Sequence, residues 1–188
     1  MKKIIAISIR SKVIYDDEEK IYIKYFYPEK IKKIKFFLKL RKYPGENCIY
    51  ISKFLNNNNI KTAKILEHTK YSIKTKEVQG KNLVEELLEA NFLKKEELIN
   101  KYINLVVKMI ELGIYFGDLH FGNFILYNDE LYVIDFEDYR KDLFSKFRKK
   151  SLLKRLRRYL LRINEIYDKE VYDGKKIYNK ILLKLNSD

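Results

Sequence analysis

The sequence predicts an α+β fold in which an antiparallel sheet carrying a helix comes first and a mainly helical part follows. Three observations lead there. Apolar residues alternate along the first segments, their spacing turns helical beyond Gly80, and no repeat, low-complexity linker or composition break marks a second independent domain. The 188 residues therefore read as one domain with a hinge near Gln79-Gly80, parting residues 1–79 from 80–188.

Each element follows from its residues. Ile5, Ile7 and Ile9 share a face, Val13 and Tyr15 continue the alternation, "DDEEK" is a polar turn and "IYIKYFY" alternates again. This is an antiparallel meander, and Pro28 ends it. "EKIKKIKFFLKLRKY" sets Ile31, Ile34, Phe37 and Leu38 at helical spacing and stops at Pro44-Gly45. A second helix begins near Glu46, with Ile49, Ile51 and Leu55 apolar, and runs to the asparagines at 56–59, which form a surface turn. "KTAKILEH" and "YSIKTKEVQG" read as a strand pair, and "KNLVEELLEA" and "KKEELINKYINLVVKMIELG" as helices. "NFILYNDELYVIDF" is a short hairpin turning at Asn128-Asp129, and the remainder is helical and basic.

Composition narrows the function. With 46% hydrophobic residues, 14% aromatic and only two prolines, the chain buries a core and is not a disordered tract. Its one cysteine, Cys48, excludes an internal disulfide and reads as a small buried hydrophobe. With His68 and His120 the only histidines, no cluster has zinc-ligand spacing. The opening "MKKIIAISIRSKVIY" starts like a signal peptide, but its apolar run ends at Arg10 and alternates as a strand does. No apolar stretch reaches membrane-spanning length, so the expected location is the cytoplasm, or the inner face of the cytoplasmic membrane as a peripheral protein. A formal net charge of +14 calls for an anionic partner: nucleic acid, a membrane surface or a phosphorylated substrate.

The chemistry lies in "IYFGDLHFGNFILY" and, six residues on, "VIDFED". Phosphoryl transfer needs metal-held phosphates, an aligned hydroxyl and charge neutralisation, for which two carboxylates and an amide oxygen suffice. In that reading Asp118 accepts the hydroxyl proton, and Asn123 and Asp135 hold magnesium on the nucleotide. Gly117 and Gly122 let the loop turn back. The structural alternative is that these are turn residues capping a hairpin, since turns favour Asp, Asn and Gly. His120 reads as bracing the loop, because Asp118 already has the base's task.

"FGDLHFGN" resembles the loop "HGDLHxGN" of the protein-kinase-like fold in its phosphotransferase branch, keeping Gly117, Asp118, Leu119, His120, Gly122 and Asn123. Phe116 replaces the usual histidine. "IDFED" keeps Asp135 and Phe136 of the Asp-Phe-Gly triplet but has Glu137 for glycine, which tells against a flip of that triplet. The resemblance implies a two-lobed protein that uses ATP and magnesium, with a nucleotide-binding lobe over 1–79 and a short, mainly helical catalytic lobe over 80–188. It makes Lys24 in "IYIKYFY" the phosphate-pairing lysine and Glu46 its partner from the following helix. It makes "KEVQGKNL", through Glu77 and Val78, the hinge that receives adenine. Glu46 also fits a helix-start carboxylate favoured by the dipole. The glycine-rich phosphate loop is missing; the first hairpin has Ser8, Arg10 and Ser11 in its place.

Within this fold the chain resembles bacterial lipopolysaccharide core kinases, the heptose and Kdo kinases. They share a glycine-poor first hairpin, the "GDLHxGN" loop, "IDF" followed by acidic and basic residues, and a short helical lobe ending in a basic segment. The implied acceptor is a sugar or glycolipid hydroxyl. Residues 146–162 carry nine cations, among them Lys146, Arg155, Arg157 and Arg158, and no acid. Leu152, Leu153, Leu156, Leu160 and Ile163 share one helical face there, so the segment is a core-facing helix, a dock for an anionic membrane or acidic glycolipid, or both. Two readings compete: a RIO-like or small-molecule kinase, and a nucleic-acid-binding module whose kinase residues are inert. The aromatics do not interleave with the cations as a stacking platform would, which disfavours nucleic acid.

Overall fold

Alternation at the amino terminus becomes β1 (Lys2–Ile7), β2 (Ser11–Asp16) and β3 (Ile21–Phe26) in the computed structural model, which describes residues 1–116, 119–141, 148–163 and 172–187. With β4 (Ile65–His68) and β5 (Ser72–Lys76) they form an all-antiparallel sheet in the order β1-β2-β3-β5-β4. β3 is thus the central strand. The chain parts into two compact units: Met1–Gln79 with Asp135–Glu137, and Gly80–Ile134 with Asp138–Asp188.

Two helices join the first unit's sheet. α1 (Lys30–Phe37) is shorter than its apolar spacing predicts, because Lys39 takes a left-handed φ of 53° just beyond it. α2 (Pro44–Asn57) begins at the proline and glycine that the sequence reading takes as the end of the preceding helix. Pro44 stands at the start of α2, where its missing N–H costs no hydrogen bond. α2 buries Cys48, Ile51 and Leu55, and the Ser52 and Thr62 hydroxyls meet at 2.7 Å beneath it. Gly45 is what lets this helix approach the β4–β5 turn.

The second unit opens with β6 (Lys81–Asn82) and α3 (Leu83–Glu89). Asn82 accepts from the Val84 and Glu85 amides while Glu85 accepts from the Asn82 N–H, a reciprocal cap. α4 (Phe92–Glu111) buries Leu98, Tyr102, Ile103, Val106, Val107, Met109 and Ile110, one face at helical spacing. A 3-10 turn, Phe121–Asn123, leads into β7 (Phe124–Tyr127) and β8 (Glu130–Val133), which pair with β6 in a three-stranded antiparallel sheet. Asn128 and Asp129 carry φ of 49° and 62°, the two-residue primed turn that matches strand twist. α5 (Lys149–Ile163) and α6 (Gly174–Asn186) pack together, and α6 also packs on α4. Leu152, Leu156 and Leu160 are buried, so the apolar face of α5 belongs to the core. Among the described residues no helix is long and apolar enough to cross a membrane.

A Cβ on Gly45 would lie 1.9 Å from the Thr69 carbonyl oxygen and 2.8 Å from that of Ser72, both backbone. Gly45→Ala is therefore expected to lower stability by about 2 kcal/mol or more, measured by urea unfolding. A midpoint unchanged from wild type would contradict this account of how α2 seats.

Candidate functional site

Lys24 lies mid-strand on β3, opposite Val13 of β2 and Ile73 of β5. Strands paired on both sides give its side chain a fixed origin, and that side chain is only 14% exposed. A half-buried ammonium needs partners, and two carboxylates supply them. Lys24 Nζ pairs with Asp135 Oδ1 and, at 2.5 Å, with Glu137 Oε1. The Phe26 ring lies 5.8 Å from the same ammonium.

The short segment carrying those carboxylates is held at several points. Phe136 is buried, and Asn47 of α2 donates from Nδ2 to the Glu137 carbonyl at 2.9 Å. Asp135 has a φ of 60°, a left-handed conformation unfavourable by about 1–2 kcal/mol for most residues and least so for Asp and Asn. Such strain persists where surrounding contacts over-determine it, and it concentrates at functional positions.

Charge does not balance in this cluster, since two carboxylates face one ammonium. Burial, then Asp135, push the Glu137 carboxyl up to about 7 against the pull of Lys24. Burial works against the Lys24 charge, but Glu137 and Asp135 outweigh it and move the ammonium upward. Lys24 therefore stays charged near neutrality. The surplus negative charge suits a divalent cation, and one or two carboxylates completed by phosphate oxygens is the ordinary donor set of protein-bound magnesium. Among the described residues no group of three or more His, Cys, Asp or Glu could hold a metal alone. The residues fit a metal shared with a phosphorylated ligand.

The pairing of Lys24 with Glu46 is corrected by the structure. Glu46 is exposed on the first turn of α2 and makes no ion pair among the described residues. It faces the helix dipole, and the carboxylates on Lys24 come from the segment after β8 instead. Its neighbour Asn47 reaches that segment. Sequence reasoning passed over Asn47 and treated Glu137 only as a departure from glycine. An acid at a position usually left without a side chain was the available signal.

Past β5, the Glu77 carboxylate accepts from Tyr15 Oη at 3.0 Å and its N–H donates to the Lys20 carbonyl at 2.9 Å. Glu77 is thereby engaged within the first unit. Val78 makes no backbone hydrogen bond among the described residues, so its N–H and carbonyl suit the edge of a planar base. At the tip of the β1–β2 hairpin the Ser8 hydroxyl accepts from the Arg10 and Ser11 amides, and the Arg10 guanidinium pairs with Glu29 at 2.7 Å. These side chains stiffen a turn that has no glycine.

In the second unit, Gly117 and Asp118 lie outside the described residues; the frame around them is described. Phe116 is buried 5.7 Å from the Tyr139 ring, so the residue standing for histidine serves packing. Tyr102 Oη donates to the Leu119 carbonyl at 3.1 Å, and the Phe121 amide donates to Tyr159 Oη at 2.9 Å. Phe121 is fully buried among the rings of Tyr102, Tyr159 and Tyr172. Asn123 is 4% exposed, its carbonyl accepts from Ile134 N–H at 2.9 Å, and its Nδ2 has no partner among the described residues. A buried amide left so carries a cost that a ligand or a neighbouring acceptor removes. A Cβ on Gly122 would come within 2.9 Å of the His120 ring, which therefore packs across the glycine and braces the turn.

Of the basic segment, residues 148–162 are described. Lys146 lies outside the described residues, while Arg148 and Arg155 stand 5.6 Å and 5.7 Å from the Tyr115 ring. Tyr115 directly precedes Phe116, so the first half of α5 lies beside the segment that leads into the predicted loop.

No sequence-family model matches the chain, and no curated protein sequence matches it. Solved structures do. An ADP-bound aminoglycoside phosphotransferase aligns over 97% of this chain and 92% of its own length, with a TM-score of 0.55 at 12% identity. The Rio2 kinase of Chaetomium thermophilum, in an ADP/Mg2+-phosphoaspartate complex, aligns over 94% of this chain and 60% of its own, with a TM-score of 0.57 at 12% identity. The fold is protein-kinase-like.

A pH dependence follows from the carboxylate pair. The native state keeps a proton on Glu137 up to about 7, whereas an ordinary glutamate releases it near 4.5. That contribution to stability is full below the ordinary value and is lost as pH rises through the native one. In magnesium-free buffer the melting temperature of wild type is expected to fall from pH 5 to pH 8 relative to Glu137→Gln, which cannot titrate. Parallel melting curves for the two proteins across that range would remove Glu137 as the group responsible.

Proposed function

We propose that the chain is an ATP- and magnesium-dependent phosphotransferase that moves the γ-phosphoryl group to a hydroxyl of a lipopolysaccharide core sugar, heptose or Kdo. The observation that carries the transferase reading is the contact of a central-strand lysine with Asp135 and Glu137 inside a kinase-like fold. Fold neighbours solved with ADP, one of them with magnesium as well, support the nucleotide and the metal.

The roles follow from each residue's chemistry. Lys24 neutralises and orients phosphate oxygens, Asp135 and Asn123 hold the metal, and Val78 offers backbone groups to adenine. Bound magnesium supplies charge neutralisation across the transferring phosphates. Asp118, by its place in the loop motif, accepts the proton of the acceptor hydroxyl and aligns it.

The acceptor rests on two supports: the motif resemblance to core kinases, and the cations of α5 beside the loop. Arg155 and Arg148 reach Tyr115, while Arg157 and Arg158 are exposed and have no ion-pair partner among the described residues. Such a face attracts phosphorylated sugars and acidic glycolipids. It suits a protein working at the inner face of the cytoplasmic membrane. A RIO-like or soluble acceptor would use the same catalytic residues without needing this face.

Asp118→Asn is expected to keep ATP binding and lose about 100-fold to 10,000-fold in turnover, whereas Asp135→Asn weakens magnesium-dependent ATP binding itself. Calorimetry with MgATP and phosphotransfer to deacylated lipopolysaccharide core measure the two effects. Wild-type turnover in both variants would end the enzyme reading. Separately, Arg157→Gln with Arg158→Gln should raise KM for the core acceptor and leave ATP affinity unchanged. An unaltered KM would favour a soluble acceptor.

A further inference from the structure

α1 carries two apolar faces where one would seat it. At about 100° per residue, Ile31, Ile34, Phe37 and Leu38 fall on a single strip, and Phe36, the one buried residue of the helix, points roughly the opposite way. The strip has no cover among the described residues: its four side chains are 57% to 81% exposed, and Leu40 beyond it is 70% exposed. Residues 30–42 also hold seven cations and no acid. None of the seven makes an ion pair among the described residues.

A contiguous apolar strip rimmed by charge marks a contact surface. Its chemistry selects the partner. A second copy of this chain would bring the same cations against each other, so the charge opposes self-association through this face. An anionic bilayer meets both halves of the pattern, because apolar side chains enter the headgroup boundary while lysine stems extend to lipid phosphates. Phe36 keeps the other side of α1 on the protein, so docking needs no unfolding. α5 is built differently, for Leu152, Leu156 and Leu160 are buried in the core. It can attract anions but has no apolar strip to insert.

We infer that α1 and the residues to Leu40 form an interfacial membrane-docking element that inserts Ile31, Ile34, Phe37 and Leu38 into an anionic bilayer. The inference goes beyond phosphotransfer and does not depend on it. It explains why apolar spacing that would ordinarily face a core is left in the open.

The chain contains no tryptophan, so Phe37→Trp in the full-length protein gives a single reporter. With vesicles of equal parts phosphatidylglycerol and phosphatidylcholine at low salt, and without ATP, its emission should move to the blue and be quenched by brominated acyl chains. Pure phosphatidylcholine should produce neither effect. Ile34→Ser with Phe37→Ser should lower vesicle sedimentation at least about tenfold, and Lys30→Gln or Lys33→Gln roughly fivefold each. Three results would overturn the inference: sedimentation with unchanged, unquenched emission; an equal shift with neutral vesicles; or a blue shift without vesicles that grows with protein concentration, which would assign the strip to a second copy. Should Phe37→Trp fail to fold, hydrogen exchange of wild-type amides over 30–40 decides the matter, since vesicles must protect them. Because no nucleotide is present, loss of the phosphotransfer reading would leave this outcome untouched.

Discussion

One ammonium facing two carboxylates is the interaction from which the arrangement of this protein follows. Lys24 is fixed by strands on both sides, so its charge cannot retreat to solvent and must be met where it stands. Asp135 and Glu137 meet it, and their segment is counted with the first unit although the hairpin it leaves belongs to the second. The chain changes units at a residue forced into a left-handed conformation. The carboxyl pushed up to about 7 is a consequence of burying unlike numbers of charges in one place, and the Asn47 amide holds the segment there.

A second theme is substitution of means. The turn at residues 8–11 is stiffened by hydroxyl-to-amide bonds and by the Arg10–Glu29 pair, in place of glycines that would leave it free to close on phosphates. Around the predicted loop, Phe116 packs on Tyr139, and three rings surround Phe121 in the turn that carries Asn123. Rings define orientation through shape; Phe116 tolerates burial without the partners a histidine would demand, while the Tyr102 and Tyr159 hydroxyls are met by backbone groups.

Much of this was legible because some residues have few conformational choices. Asn128-Asp129 marked its hairpin, since adjacent left-handed residues suit one kind of turn. Alternation along 1–27 marked the sheet, and apolar spacing marked α4 as a helix. Other features were settled by contacts remote in sequence. Pro44-Gly45 reads as a stop until one sees that proline also opens helices and that Gly45 must pass a carbonyl at close range. The resemblance points to the following helix for the acid on Lys24, but proximity in the fold selects Glu137, and Glu46 stays at its helix start. Apolar spacing in α1 reported a strip, not what covers it.

The anchoring of Glu137 has a pharmacological consequence. A small molecule that needed the space filled by Phe136 would have to displace that buried ring first. Here, evicting Phe136 would drag a neighbouring carboxylate off an ammonium and a carbonyl off the Asn47 amide. Compounds of that kind would lose affinity to the rupture, so this chain selects for ligands that accept Phe136 where it is.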